Sequence, residues 1–322
     1  MSSIPVIDLR APNSSAQIGE ACAENGFFCI VGHGVNEALQ LKLESLSKKF
    51  FALPNDTKNQ IAMEKAGKAW RGFFPVGNEL TSGAPDLKEG IYFGEELEHS
   101  DFRVSGGWPL HGANLFPEIP EFKETVLEYM TAMTALGHRL MEELSLSLGL
   151  SKEYFNEHYT KDPTLLFRIF HYPPTSAELD KKFPWGVGEH TDYGVLTILK
   201  QDDCGGLEVK TKDRWIQVPP IPGAFVCNIG DMLDFLTRGR YRSSPHRVRN
   251  TSGRERYSYP FFFDPGFSAK VMPLPMVSAL PERMADRWDH ENLYAFQGTY
   301  RDYLLGKVSK VFPNLADSQK LR

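Results

Sequence analysis

The stretch His190-Thr191-Asp192-Tyr193-Gly194-Val195-Leu196-Thr197-Ile198-Leu199 joins two signals. Its second half is aliphatic and β-branched and predicts a short buried strand, Gly194–Lys200. Its first half sets an imidazole and a carboxylate two residues apart. On extended chain, residues i and i+2 point to the same side, so His190 and Asp192 converge on one point. Working outward, the pattern stays β. Candidate strands are Leu165–Tyr172, Leu207–Thr211, Trp215–Val218, Ala224–Ile229, His246–Arg249 and Tyr257–Phe263. Turn residues separate them, as at Cys204-Gly205-Gly206, Gly230-Asp231 and Thr251-Ser252-Gly253. Short strands at this spacing predict a sandwich or jelly roll.

The rest of the chain supplies helices and two more strands. Pro5–Leu9 and Phe27–Val31 read as strands, the latter closed by Gly32-His33-Gly34. Leu39, Leu43, Leu46 and Phe50 recur at helical spacing and predict an amphipathic helix over Asn36–Phe51. Ala66 to Pro117 is rich in Gly and Pro and reads as loop with short strands. In Glu121–Leu148 one stripe runs through Val126, Met130, Met133, Leu136, Leu140, Leu144 and Leu148. Such a stripe packs a core, so this helix is expected to cover one outer face of the β structure, and His138 within it is no ligand. A last helix is predicted over Asn292–Val308. The fold class is mainly β with flanking helices.

Composition narrows the function. The net charge of −5 and pI near 6.0 leave no basic field for a phosphate backbone, which argues against nucleic acid. No apolar run approaches the ~18 residues of a membrane helix, and the N-terminus lacks a basic segment leading into an apolar one. The four cysteines lie scattered without a CxxC pair, as expected of reduced thiols in a cytoplasmic protein.

A metal needs a third ligand beside His190 and Asp192, and Ser244-Pro245-His246-Arg247-Val248 offers His246. Two His and one Asp on one face of a metal leave the opposite face open, the arrangement of non-haem Fe(II) oxygenases; the same donors also suit Zn, Ni, Co or Mn. In Arg256-Tyr257-Ser258, the guanidinium and hydroxyl share a strand face. Together they could anchor the far carboxylate of a metal-bound diacid.

His190–Leu199, Val226–Asp231, Ser244–Val248 and Arg256–Ser258 come in this order, and together they resemble the 2-oxoglutarate/Fe(II)-dependent dioxygenases of the isopenicillin N synthase-like group. Ile4–Leu9, Asn25–Phe28, Gly32–Val35, Phe50-Phe51 with Leu53-Pro54, and Arg71–Phe73 resemble that family's N-terminal module. The resemblance implies a double-stranded β-helix (jelly roll) core with a helical N-terminal module. Residues 1–118 would form that α/β module and a substrate lid. Residues 119–322 would hold a scaffold helix, the Fe(II)/2-oxoglutarate domain and the C-terminal helix. It further implies His190, Asp192 and His246 as iron ligands, and Arg256 and Ser258 on the distal carboxylate of 2-oxoglutarate. Tyr172 would add a contact from Phe170-His171-Tyr172, where the family often has Asn-x-Tyr and this chain lacks the Asn. The cofactors implied are Fe(2+), 2-oxoglutarate and O2, with succinate and CO2 released as a small molecule is oxidised, most simply by hydroxylation. No catalytic residue is expected beyond the metal ligands. Arg71, Phe73 and Phe262 are expected to face the substrate. His33, His171 and Asp231 read as structural, and Asp202 and Asp203 as loop residues. Three other readings stay open: an iron oxidase of the same fold that does not use 2-oxoglutarate, a non-catalytic jelly-roll binding module, and a zinc hydrolase, for which no general base beside the metal is identified.

Overall fold

The computed structural model describes residues 3–212, 214–275 and 292–311. Among these, twelve strands form two sheets: β1 Val6–Asp8, β2 Phe27–Val31, β3 Gly72–Phe74, β4 Glu89–Gly94, β5 Thr164–Tyr172, β6 Val187–His190, β7 Leu196–Gln201, β8 Leu207–Lys210, β9 Trp215–Gln217, β10 Phe225–Ile229, β11 His246–Val248 and β12 Arg256–Asp264. The large sheet runs β1-β2-β10-β7-β12-β5-β4-β3 and the small one β6-β11-β8-β9. The two sheets make the jelly-roll core. Strands from the first 118 residues extend both edges of the large sheet, β2 beside β10 and β4 beside β5.

The centre of the large sheet follows from its sequence. β12 is too apolar for an edge, and it pairs antiparallel with β5 on one side and β7 on the other. Alternation then sorts its side chains. Arg256, Ser258, Pro260, Phe262 and Asp264 face an interior cavity, as do Leu166, Arg168, Phe170 and Tyr172 of β5. The opposite face carries the fully buried Phe167, Phe261 and Phe263. The helix Phe122–Ser147 packs on that face through the predicted stripe. The approach is close: a Cβ on Gly137 would lie 2.4 Å from the Phe263 ring. His138 meets the same ring edge-on at 4.9 Å, which places it in packing.

The helix Glu37–Phe51 begins where its cap dictates, with the Asn36 side chain accepting from Ala38 N at 2.8 Å and Leu39 N at 3.3 Å. Between β1 and β2 lies a helix, Ser14–Glu24, whose buried positions are Ser14, Ile18, Ala21 and Cys22; with Ile18 as their one large apolar side chain they do not read as an apolar stripe. Two expected elements shift. The strand at Gly194–Lys200 is Leu196–Gln201, because Gly194 sits against the Asp264 carboxylate and gives its carbonyl to Met232 N at 3.0 Å. The helix expected over Asn292–Val308 is a 3-10 turn, Leu293–Ala295, followed by a helix, Tyr300–Val311. The reason is local: Thr299 N and Oγ1 donate to Asp302 Oδ2 at 2.9 and 2.7 Å and start a new helix after Gly298. Among the described residues, no helix is long and apolar enough to cross a membrane.

Candidate active site

β6 ends on His190 and β11 begins on His246, and the two are register partners. Their rings lie 4.2 Å apart, centre to centre. Asp192 follows β6 in the turn toward β7. Its Oδ1 lies 3.8 Å from His190 Nε2 and 3.7 Å from His246 Nε2. Neighbouring groups fix the direction of all three. His190 Nδ1 contacts Gly188 O at 2.9 Å and His246 Nδ1 contacts Ser244 O at 3.2 Å. A carbonyl only accepts, so both Nδ1 atoms carry the proton and both Nε2 lone pairs face the shared centre. Asp192 Oδ2 accepts from Thr197 Oγ1 and from Asn228 Nδ2, each at 2.6 Å, which leaves Oδ1 for that centre.

The electrostatics agree. Burial, reinforced by the neighbouring His246, pushes His190 down to about 3, so its imidazole is neutral and available as a donor at neutral pH. Burial alone would raise Asp192. The two imidazoles and the hydrogen bonds from Asn228 and Thr197 outweigh it and hold the carboxyl below its ordinary range. Two imidazole nitrogens and one carboxylate oxygen, each oriented from behind, suit a divalent first-row metal such as iron.

Along the same wall lies a second built feature. Arg256 is fully buried, with its guanidinium 4.6 Å from the Tyr172 ring. Its Nε donates to Gly205 O at 2.6 Å, while Nη1 and Nη2 have no hydrogen-bond partner among the described residues. Two parallel donors, buried and unused, fit a carboxylate fork to fork. Ser258 Oγ and Tyr172 Oη lie beside them, 3.3 Å from each other. Phe170 stands where the family often has Asn, lines the same cavity and offers no side-chain hydrogen bond.

One cavity therefore gathers His190, Asp192, His246, Arg256, Ser258, Tyr172 and Phe262. It does not include Arg71 or Phe73, and the expectation for these two is corrected. β3 is the outer edge of the large sheet, with β4 and β5 between it and β12. The Arg71 guanidinium is spent on backbone carbonyls, of Glu95 at 2.6 Å, of Leu110 at 3.0 Å and of Gly112. Burial lowers it to about 10. Phe73 packs on Phe50 at 5.8 Å in the N-terminal core.

The other histidines and acids singled out in the sequence are held in packing and turns. His171 Nδ1 lies 2.8 Å from a Glu89 carboxylate oxygen, and its ring stacks on Tyr257. His33 stacks on Phe225 at 4.2 Å. Asp231 opens the short helix Asp231–Leu236 and accepts from Tyr303 Oη at 2.6 Å. Asp202 accepts from Tyr257 N at 2.5 Å and Cys204 N at 3.0 Å, tying down its loop.

Three groups of cavity residues escape the motif reading. Arg168 belongs to β5, four residues before Tyr172 and on its face, so alternation alone points it inward. Glu79, Thr81 and Lys88 arrive from the Gly/Pro-rich segment, where no local pattern marks them. Lys88 is held 2.9 Å from Glu79 and 2.5 Å from Asp86. Burial would depress its ammonium, but those carboxylates outweigh it and keep it charged. Leu304, Val308 and Val311 of the C-terminal helix complete the wall.

A jelly roll with a His-Asp-His centre facing an open cavity defines the architecture of a mononuclear non-haem metalloenzyme. The comparisons narrow that class. Residues 163–265 match the model of the 2OG-Fe(II) oxygenase superfamily, and residues 4–119 match that of the non-haem dioxygenase in morphine synthesis N-terminal region. A probable iron/ascorbate oxidoreductase of Dictyostelium discoideum is 48% identical, covering 98% of this chain and 96% of its own. A 2-oxoglutarate-dependent dioxygenase of Monascus ruber is 36% identical, covering 96% and 95%. The crystal structure of a full-length Neurospora crassa protein in complex with alpha-KG superposes with a TM-score of 0.79 at 26% identity, over 97% of this chain and 96% of that one. The chain belongs to the 2OG-Fe(II) oxygenase superfamily, as a dioxygenase that uses Fe(2+), 2-oxoglutarate and O2.

Proposed function

We propose that His190, Asp192 and His246 hold the iron, that Arg256, Ser258 and Tyr172 hold 2-oxoglutarate, and that the reaction hydroxylates a small molecule seated beyond the metal. The observation that carries this reading is the buried, unpartnered Nη pair of Arg256 on the same wall as the three metal donors. When bound, iron with 2-oxoglutarate and O2 supplies the oxidising power, and succinate and CO2 leave. The protein orients and encloses. Arg256 grips the distal carboxylate with two charge-assisted hydrogen bonds, and Ser258 and Tyr172 add hydroxyls beside it. This fixes the register of the cosubstrate on the metal. Thr197 and Asn228 keep one oxygen of Asp192 aimed at the metal. Phe262, Phe170 and the C-terminal helix side chains keep water from the reacting carbon.

Residues 1–118 are read as the N-terminal module and substrate lid, because Glu79, Thr81 and Lys88 of this region line the cavity. Residues 119–322 carry the scaffold helix and the metal domain. The four cysteines are unpaired, which supports a cytoplasmic home. The negative net charge favours a small-molecule substrate over nucleic acid.

The test is succinate release by protein loaded anaerobically with Fe(II), then exposed to O2, 2-oxoglutarate and a metabolite library. Stimulation by particular metabolites, each oxidised in step with succinate, is expected. Full-rate oxidation with ascorbate and no 2-oxoglutarate would move the protein to the oxidase reading. Absence of any iron-dependent turnover would move it to a binding module.

A further inference from the structure

A second guanidinium shares the cavity with the metal donors and is also short of partners. Arg168 sits between two aromatic rings, its guanidinium carbon 4.1 Å from the Tyr92 ring centre and 4.7 Å from that of Phe262. Its side chain is 16% exposed. Nε has no partner, and among the described residues nothing accepts a hydrogen bond from either Nη. Among the described residues its one ion pair within 4 Å is with Glu79, whose Oε1 lies 3.6 Å from Nη1, beyond hydrogen-bond length for this geometry, while Asp192 and Asp264 act on it from farther away. Glu79 is already engaged, by Lys88 at 2.9 Å and by the Tyr92 hydroxyl. A half-buried arginine with an almost idle donor fork carries a desolvation cost that a ligand would offset.

Register separates this group from the cosubstrate clamp. Arg256 lies opposite Tyr172, and Arg168 lies four residues back along β5. At ~3.3 Å per residue the two positions are about 13 Å apart on one wall. The negative charge of Asp192 is within electrostatic reach of Arg168. A cosubstrate gripped at Arg256 therefore leaves Arg168 for a different molecule, seated on the metal side of the wall. The Tyr92 and Phe262 rings lie 4.1 and 4.7 Å from the guanidinium carbon, and a planar carboxylate can meet the idle donor edge with two parallel bonds. Lys88 lies 2.9 Å from Glu79 and 2.5 Å from Asp86, so a cation already faces these two acids, while Asp264 Oδ1 at the end of β12 has no hydrogen-bond partner among the described residues. The neighbouring surface is apolar, from Phe170, Leu304, Val308 and Val311.

We propose that Arg168 is the substrate-anchoring residue and that the primary substrate is a small monocarboxylate with an apolar body. The carboxylate lies on the guanidinium edge, and the carbon skeleton lies along Phe170 and the C-terminal helix, beside the metal. This rests on Arg256 being the 2-oxoglutarate clamp.

The test measures binding, without turnover. Protein loaded anaerobically with Fe(II) and one equivalent of 2-oxoglutarate is titrated by calorimetry with hexanoate, cyclohexanecarboxylate and phenylacetate, and with the primary amide of each. At least one acid should bind at least about tenfold tighter than its amide, the worth of one or more hydrogen bonds to a charged group. Arg168→Gln should erase that preference, and Arg168→Lys should restore it only in part, since an ammonium keeps the charge and loses the fork. Affinity for 2-oxoglutarate should be unchanged in both variants and lost in Arg256→Met. Equal binding of acids and amides by the wild type, or no binding of any acid, overturns the proposal even if the variants fold poorly. So does an undiminished preference for acids in Arg168→Gln. If 2-oxoglutarate binding falls in the Arg168 variants and survives in Arg256→Met, the clamp reading itself is wrong and this assignment falls with it. If neither site affects 2-oxoglutarate while Arg168 still governs the acids, the anchor stands and only the clamp reading fails.

Discussion

Replacing Arg256 by Met removes the clamp while keeping an unbranched side chain of similar reach over Tyr172. In the structure both Nη atoms are free for ligand, and only Nε is used internally, on Gly205 O at 2.6 Å. Each lost hydrogen bond to a carboxylate is worth roughly 1.5–3 kcal/mol, so two amount to about 3–6 kcal/mol. Affinity for 2-oxoglutarate should fall by roughly two to four orders of magnitude. The ligand-free protein should behave differently. Arg256 is fully buried and has no acidic partner among the described residues, so its charge is a cost to the resting fold. Arg256→Met should therefore leave the melting temperature of the ligand-free protein unchanged or raise it. It should abolish the stabilisation that 2-oxoglutarate gives the wild type. Anaerobic calorimetry with 2-oxoglutarate and thermal melts with and without it read both effects, and Fe(II) titration serves as control. An affinity within about tenfold of wild type would refute the two-bond geometry. Loss of iron binding would show that Arg256 supports the metal site instead.

Other expectations follow from the same site. His190→Ala, Asp192→Ala and His246→Ala should each abolish tight Fe(II) binding in an anaerobic titration, since each removes one of three protein donors. Asn228→Ala and Thr197→Val should weaken iron by about 10–100-fold without abolishing it, because they free the Asp192 carboxylate to rotate. Gly137→Ala places a Cβ 2.4 Å from the Phe263 ring, and denaturant melts should show a loss of about 1–3 kcal/mol. Burial raises Asp264 from 3.8 to about 7, against a hydrogen bond from Tyr300. Above 3.8 the unfolded chain releases this proton while the folded one keeps it. Metal-free protein should therefore lose stability as pH rises toward about 7 and level off beyond. Asp264→Asn should flatten that decline in a series of melts across the range, and an unchanged slope would assign it to other groups.

What the sequence determined is what depends on neighbours a few residues away. Alternation in β12 and β5 put Arg256, Ser258, Phe262 and Tyr172 on one face, and the HxD spacing paired His190 with Asp192. The apolar period of Phe122–Ser147 named the helix that backs the sheet. The ordered motifs from His190 to Ser258 supplied the fold by resemblance. Tertiary structure decided which faces meet. Only the pairing of β12 with β5 sets Tyr172 opposite Arg256. The position of β3 at the sheet edge takes Arg71 and Phe73 away from His190, Asp192 and His246, although their segment reads as a lid. Lys88 and Glu79 reach the cavity through a Gly/Pro-rich loop, and Leu304, Val308 and Val311 through a helix more than a hundred residues after β6. Alternation is a property of one strand and can be read along it. Which strand lies beside it, and where a loop comes to rest, depends on contacts between distant residues, whose cost and gain are settled only when the whole chain closes.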